Sequence, residues 1–89
     1  MFGSKTKKFT LKANVTTIGR AASSNHIWVE DSCMSRNHAK VEIIDGVPII
    51  YDLGSSSGTK VNGEVVSKKP LKQGDEITLG NTIFTLQSN

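Results

Sequence analysis

Apolar and polar positions alternate in short stretches along this chain, and the stretches are separated by turn residues. Phe9-Thr10-Leu11-Lys12-Ala13 has the period of a half-buried strand. Val15 to Ile18 is rich in β-branched residues. Ile27-Trp28-Val29 is a short apolar run, and Ala39 to Ile44 is a stronger one. Asp45-Gly46 then offers a tight hairpin turn, because glycine tolerates positive φ. Pro48 to Leu53 supplies the return strand, with its proline at the start, where a missing N–H does least harm. Thr59-Lys60-Val61, the turn Asn62-Gly63 and Glu64-Val65-Val66 form a second hairpin pattern. Glu76 to Leu79 and Thr82 to Leu86 alternate again across Gly80-Asn81. No window of about 11 residues or more sustains a 3.6-residue apolar period. Short strands and frequent turns predict an all-β sandwich or barrel.

Size and composition narrow this picture. A chain of 89 residues makes one small domain. Such a chain buries roughly 60–65% of its unfolded surface, so its core is thin. The hydrophobic fraction of 36% suits a globular fold rather than a disordered one. The net charge of +3 is mild, and nine of the eleven basic residues are lysines, which read as solubilising surface rather than a nucleic-acid footprint. The five aromatics are scattered through strands and form no stacking platform. Cys33 is the single cysteine, so no intrachain disulfide can form, in keeping with a reducing, cytoplasmic setting. Lys5, Lys7 and Lys8 are followed by no apolar run, and no stretch is long enough to span a bilayer. Asn14-Val15-Thr16 matches a glycosylation acceptor, a pattern common by chance. Two histidines and one cysteine lack metal-ligand spacing, so no metal or cofactor is expected.

Three polar loops interrupt the strands: Gly19 to Asn25, Glu30 to His38 and Gly54 to Gly58. They hold both arginines of the chain, Arg20 and Arg36, together with His38 and a run of serines. Loops on a rigid β scaffold are where binding residues concentrate. A phosphate monoester carries roughly −1.5 to −2 charges near neutral pH and needs a fixed cation with several short-range donors. A guanidinium matches its oxygens with parallel N–H groups, and serine hydroxyls and loop amides add neutral donors. Arg20, Ser35, Arg36 and Ser55 to Ser57 make up such a set. Taken singly, each of these residues could be ordinary turn or surface composition.

The order of the blocks is more specific. Gly19-Arg20, then Ser35-Arg36-Asn37-His38, then Asp52-Leu53-Gly54-Ser55-Ser56-Ser57-Gly58-Thr59 and Val61-Asn62-Gly63 together resemble the signature of the forkhead-associated (FHA) domain family. The resemblance runs from about Thr17 to the C-terminal strand. It implies a β-sandwich of about eleven strands with ligand loops at one end, occupying 9–87 between a flexible segment 1–8 and a flexible C-terminus 88–89. It also implies phosphothreonine-dependent recognition of an extended peptide or protein segment. Carried over residue by residue, Arg20 and Ser35 contact the phosphate, with Arg36 and Ser56 beside them. Gly19, His38, Gly58 and Thr59 support the site, and the loop around Cys33 helps read the residue three positions after the phosphothreonine. The expected partner is a phosphothreonine-containing protein, with no nucleic acid, membrane or cofactor expected, and the isolated domain is expected to be monomeric.

One position departs from the family pattern. An asparagine usually precedes the Gly58-Thr59 pair and holds the ligand's main chain; here Ser57 stands there. A serine has one hydroxyl in place of an amide's separate donor and acceptor. Ser57 therefore raises an alternative, an FHA fold acting as a phosphate-independent or self-associating scaffold. Intact Arg20 and Ser35 weigh against it. An enzyme reading fares worse. Gly54-Ser55-Ser56-Ser57-Gly58 fits the G-x-S-x-G pattern of serine hydrolases, but that motif requires a following helix inside a large α/β fold. Here strand residues follow it and His38 precedes it, so catalysis is not expected.

Overall fold

Two five-stranded sheets face each other across an apolar core. The computed structural model describes residues 5–10 and 14–87. Its strands are β1 (Lys5–Thr10), β2 (Val15–Gly19), β3 (Ile27–Trp28), β4 (Ala39–Ile44), β5 (Val47–Asp52), β6 (Thr59–Val61), β7 (Glu64–Val66), β8 (Lys68–Pro70), β9 (Glu76–Leu79) and β10 (Thr82–Gln87). One sheet runs β1-β10-β9-β6-β7 and the other β3-β2-β4-β5-β8. Neighbours pair antiparallel, except β1 with β10 and β2 with β3, which run parallel.

The period of two decides which side chains enter the core. Thr16 and Ile18 of β2, Ala39 and Val41 of β4 and Ile50 of β5 point inward from one sheet. Val61, Ile77, Leu79, Phe84 and Leu86 meet them from the other. At about 25 cal/mol per Å² of apolar area removed from water, this interleaved layer is the main stabilising term. The hairpins are set by turn chemistry. Asp45-Gly46 and Asn62-Gly63 both hold positive φ at each central residue, as a two-residue turn matched to strand twist requires.

The architecture agrees with the all-β sandwich expected, with ten strands among the described residues rather than about eleven. The stretch between β3 and β4 is held by side chains and turns instead of a ladder. Asp31, 6% exposed, accepts from the amides of Cys33 and Asn81 and from the Thr82 hydroxyl, and so ties this stretch to the start of β10. Strand β8 was not foreseen. Ser67-Lys68-Lys69-Pro70 is polar because it is an edge strand, where lysine and proline block further pairing. Residues 5–8, expected to be flexible, form the first part of β1, paired in register with 82–85 of β10. The expected strand residues Leu11, Lys12 and Ala13, residues 1–4 and the C-terminal residues 88–89 lie outside the described residues. No helix among the described residues is long and apolar enough to cross a membrane.

Candidate functional site

The three polar loops converge because of where their strands end. Loop 1 leaves β2 at Gly19, loop 2 enters β4 at Ala39, and loop 3 joins β5 to β6. Strands β2, β4 and β5 are neighbours, so all three loops emerge at one end of the sandwich.

Loops 1 and 2 are stitched together through their backbones. The Arg20 amide donates to the Ser35 carbonyl at 3.0 Å and the Ala21 amide to the Arg36 carbonyl at 3.2 Å. The approach is so close that a Cβ at Gly19 would lie 2.1 Å from the Arg36 carbonyl oxygen. Only glycine fits there, for steric reasons. The Asn25 amide completes the joint, donating to the carbonyls of Ala21 (2.8 Å) and Arg36 (2.7 Å). The Arg20 side chain is exposed, and its Nε donates to the Met34 carbonyl at 3.1 Å. That single bond aims the guanidinium. The two terminal nitrogens have no acceptor among the described residues.

Loops 2 and 3 meet at two points. The Ser35 hydroxyl oxygen accepts the Ser56 amide at 3.1 Å and lies 3.4 Å from the Ser56 hydroxyl. The Ser57 hydroxyl donates to the Cys33 carbonyl at 2.9 Å. Beneath them His38 is fully buried. Its Nδ1 accepts the Ser35 amide at 3.1 Å, which leaves Nε2 to donate to the Gly58 carbonyl at 2.8 Å. This pattern needs the neutral ring with its proton on Nε2. His38 thus braces the two loops against each other and reaches no surface.

Asp52 organises loop 3 from its base. Its carboxylate accepts from the amides of Gly54 and Ser55, each at 3.0 Å, from the Ser55 hydroxyl, and from the Thr59 hydroxyl at 2.7 Å. Ser55 in turn accepts the Gly58 amide at 2.9 Å. Partial burial pushes the Asp52 carboxyl upward. The hydrogen bonds from Ser55, Thr59 and the loop amides outweigh this and hold it below the ordinary aspartate value.

Arg20, Ser35 and Ser56 are therefore brought together, with Ser57 beside Cys33 and with His38, Gly58 and Thr59 underneath. Arg36 is exposed, and its guanidinium makes no hydrogen bond among the described residues. Sequence reasoning missed Asn25, Asp31 and Asp52, which shape the loops without facing a ligand. Asp52 carries a readable signal, an aspartate two and three residues before Gly54-Ser55, the pattern of an Asx turn. Asn25 and Asp31 act across 11 and 50 positions, and only the Asp31 bond to the Cys33 amide, two residues on, is local.

A small sandwich presenting an arginine, two serines and loop amides at one end is a phospho-ligand reader in form. Comparison with known proteins gives the family. Residues 16–80 match the FHA domain family model, and the chain belongs to that family. It is 40% identical over 73 residues to an oxoglutarate dehydrogenase inhibitor of Corynebacterium efficiens, a match covering 82% of this chain and 51% of the relative. The chain spans about half the length of the curated relatives it matches. Among solved structures, Mycobacterium tuberculosis EmbR in complex with a low-affinity phosphopeptide superposes with a TM-score of 0.81 at 36% identity, covering 86% of this chain and 20% of that one. An FHA domain from a study of phosphothreonine-dependent interactions gives 0.74 at 32% identity, covering 80% of this chain and 73% of that one.

Proposed function

We propose that this domain binds a phosphothreonine-containing segment of a partner protein, with the phosphate held by Arg20, Ser35 and Ser56 and Arg36 alongside. The observation that carries the reading is the meeting of loops 1, 2 and 3. Arg20 keeps its terminal guanidinium nitrogens without an acceptor among the described residues, while Ser35 and Ser56, 21 positions apart, place a hydroxyl and an amide in contact. A fixed cation beside such donors suits a phosphate dianion. Hydrogen bonds that involve a charged group are worth about 1.5–3 kcal/mol each, so a few suffice for a binding module. Two structural relatives, one bound to a phosphopeptide and one described by phosphothreonine dependence, support the same ligand.

Ser57 faces the ligand's main chain in this reading, and its hydroxyl would have to leave the Cys33 carbonyl to do so. Gly19, His38, Gly58 and Thr59 hold the loops in place. The module acts by binding, not catalysis, in the cytoplasm and as a monomeric domain; a curated relative that is itself an inhibitor supports the first of these. The deciding experiment titrates an oriented phosphothreonine peptide library, with unphosphorylated and phosphoserine controls. Binding confined to the phosphothreonine peptides is expected. Equal binding to bare peptides would point instead to a phosphate-independent scaffold.

A further inference from the structure

The outer face of the β3-β2-β4-β5-β8 sheet carries a row of side chains that the phosphate site does not use. Thr16 and Ile18 point into the core, so Thr17 and Gly19 lie on the outer side of β2. Thr17 is opposite Lys40, Lys40 opposite Tyr51, and Tyr51 opposite Lys68. The Lys40 ammonium stands 5.1 Å from the centre of the Tyr51 ring and the Lys68 ammonium 5.7 Å. One ring thus steadies two cations, through the negative face of its π system. Neither lysine has a carboxylate within ion-pair distance among the described residues.

This row is continuous with the phosphate site. Gly19 is one row above Thr17 on the same face, and the Arg36 backbone packs directly against it. The Arg36 backbone, Lys40 and Lys68 therefore share one side of the domain, next to the loop end. The nearest acid on that face, Glu42, sits one row further away, between Val15 and Ile49. Beyond it the surface turns apolar at the exposed Ile44 and Val47.

We propose that this face docks an acidic stretch of the same phosphorylated partner, running from the phosphothreonine across Arg36 to the Lys40-Tyr51-Lys68 row. The inference rests on the phosphothreonine reading above and adds the chemistry of the flanking sequence. Charge complementarity carries it: held cations without internal partners attract carboxylates more readily than cations already paired. Lys40 and Lys68 lie two strands apart, about 10 Å at the usual strand spacing. An extended segment advances about 3.3 Å per residue and presents every second side chain to one face, so acidic residues two or four positions apart, about 7 or 13 Å, bracket the two lysines.

The test uses fluorescence anisotropy with one phosphothreonine core peptide in five forms: unextended, extended at its N-terminal or its C-terminal end by alternating Glu and Ser, and extended at either end by Gln and Ser. On the wild-type domain, one of the two acidic extensions is expected to bind about fivefold tighter than its neutral counterpart, with the advantage shrinking as salt rises. In Lys40→Gln/Lys68→Gln the advantage disappears while the unextended peptide binds as before; in Lys40→Arg/Lys68→Arg it persists. Equal affinity of acidic and neutral extensions on the wild-type domain overturns the inference, as does an advantage that survives the glutamine pair. The unextended peptide tests the underlying reading separately, because failure of its phosphorylated form to outbind its bare form rejects phosphate recognition itself. Thermal unfolding of both double variants shows that lost binding is not lost fold.

Discussion

The hydroxyl oxygen of Ser35 accepts the backbone amide of Ser56 at 3.1 Å, joining two loops 21 positions apart in the chain. The bond fixes the spacing of the loops; in the proposed phosphate complex both groups would turn to donate to its oxygens. Ser35→Ala removes the hydroxyl and the anchor of loop 3 together. Phosphopeptide binding is expected to weaken by about 1–3 kcal/mol, roughly five- to 150-fold. Titration calorimetry measures it, with the melting temperature as a check that the fold persists.

Arg20 separates binding from folding more sharply. Its side chain is exposed, and the single bond from its Nε to the Met34 carbonyl is all it gives to the described structure. Arg20→Ala is expected to lower phosphopeptide affinity by about 100-fold or more, from the loss of charge-assisted hydrogen bonds. Stability should change by about 0.5 kcal/mol or less, as for most surface substitutions. Arg20→Lys keeps the charge but loses the planar fork, so partial binding is expected. Urea unfolding beside peptide titration reads both effects.

Gly19 behaves in the opposite way. An added methyl group would lie 2.1 Å from the Arg36 carbonyl oxygen and 2.8 Å from the Asn25 amide nitrogen, so loop 2 must move. Overpacking of this kind costs about 1–3 kcal/mol. Gly19→Ala is therefore expected to lower stability in urea unfolding and to weaken phosphopeptide binding together, because the displaced backbone is the one that holds Ser35 and Arg36.

These residues show what a single sequence makes legible. The core strands were readable because inward positions such as Ile18, Val41, Ile77 and Leu79 obey a period of two. Both hairpins were readable because Asp45-Gly46 and Asn62-Gly63 are turn pairs of known geometry. The clustering of Arg20, Ser35 and Ser56 followed from the order of three loop blocks, not from any one of them. The parallel pairing of β1 with β10 and of β2 with β3 leaves no local mark, because partners distant in sequence create it. Asn25, Asp31 and Asp52 were passed over because a side chain that hydrogen-bonds loop backbone looks, in sequence, like any polar turn residue. Strand β8 was hidden by the lysines and proline that protect a sheet edge.

Asp52 and Asp75 are expected to contribute to loss of stability in acid. Burial pushes each carboxyl upward, and hydrogen bonds more than offset it: from Ser55, Thr59 and the loop amides for Asp52, and from Asn62 and the Lys72 amide for Asp75, where the charges of Lys72 and Lys69 also help. Both groups titrate below the ordinary aspartate value when the chain is folded. As the pH falls, the unfolded chain therefore takes up these protons first. The stabilisation they provide is complete above the unfolded value, about pH 4, and is lost as the pH drops through the lower folded values. Urea unfolding between pH 6 and pH 2.5, or roughly that range, should show stability falling at the acid end. Asp52→Asn should be less stable at neutral pH and show a shallower acid slope; an unchanged slope would mean that Asp52 does not contribute.

In the proposed complex, Ser57 is where the phosphate grip and the main-chain grip part company. Its hydroxyl donates to the Cys33 carbonyl at 2.9 Å, so its one donor is used within the protein. Family members usually carry an asparagine here, whose amide offers a donor and an acceptor to the ligand's backbone at once. Ser57→Asn lengthens the side chain beyond the Cys33 contact and supplies both ends. One added hydrogen bond contributes about 0.5–1.5 kcal/mol, so phosphopeptide affinity should rise by roughly two- to tenfold. The gain should be the same for phosphopeptides of different flanking sequence, because the bond is to main chain. It should also be additive with Arg20→Lys, because the asparagine and the guanidinium grip different parts of the ligand. An affinity that falls in Ser57→Asn would show instead that the Ser57–Cys33 bond is needed to hold loops 2 and 3 in their binding arrangement.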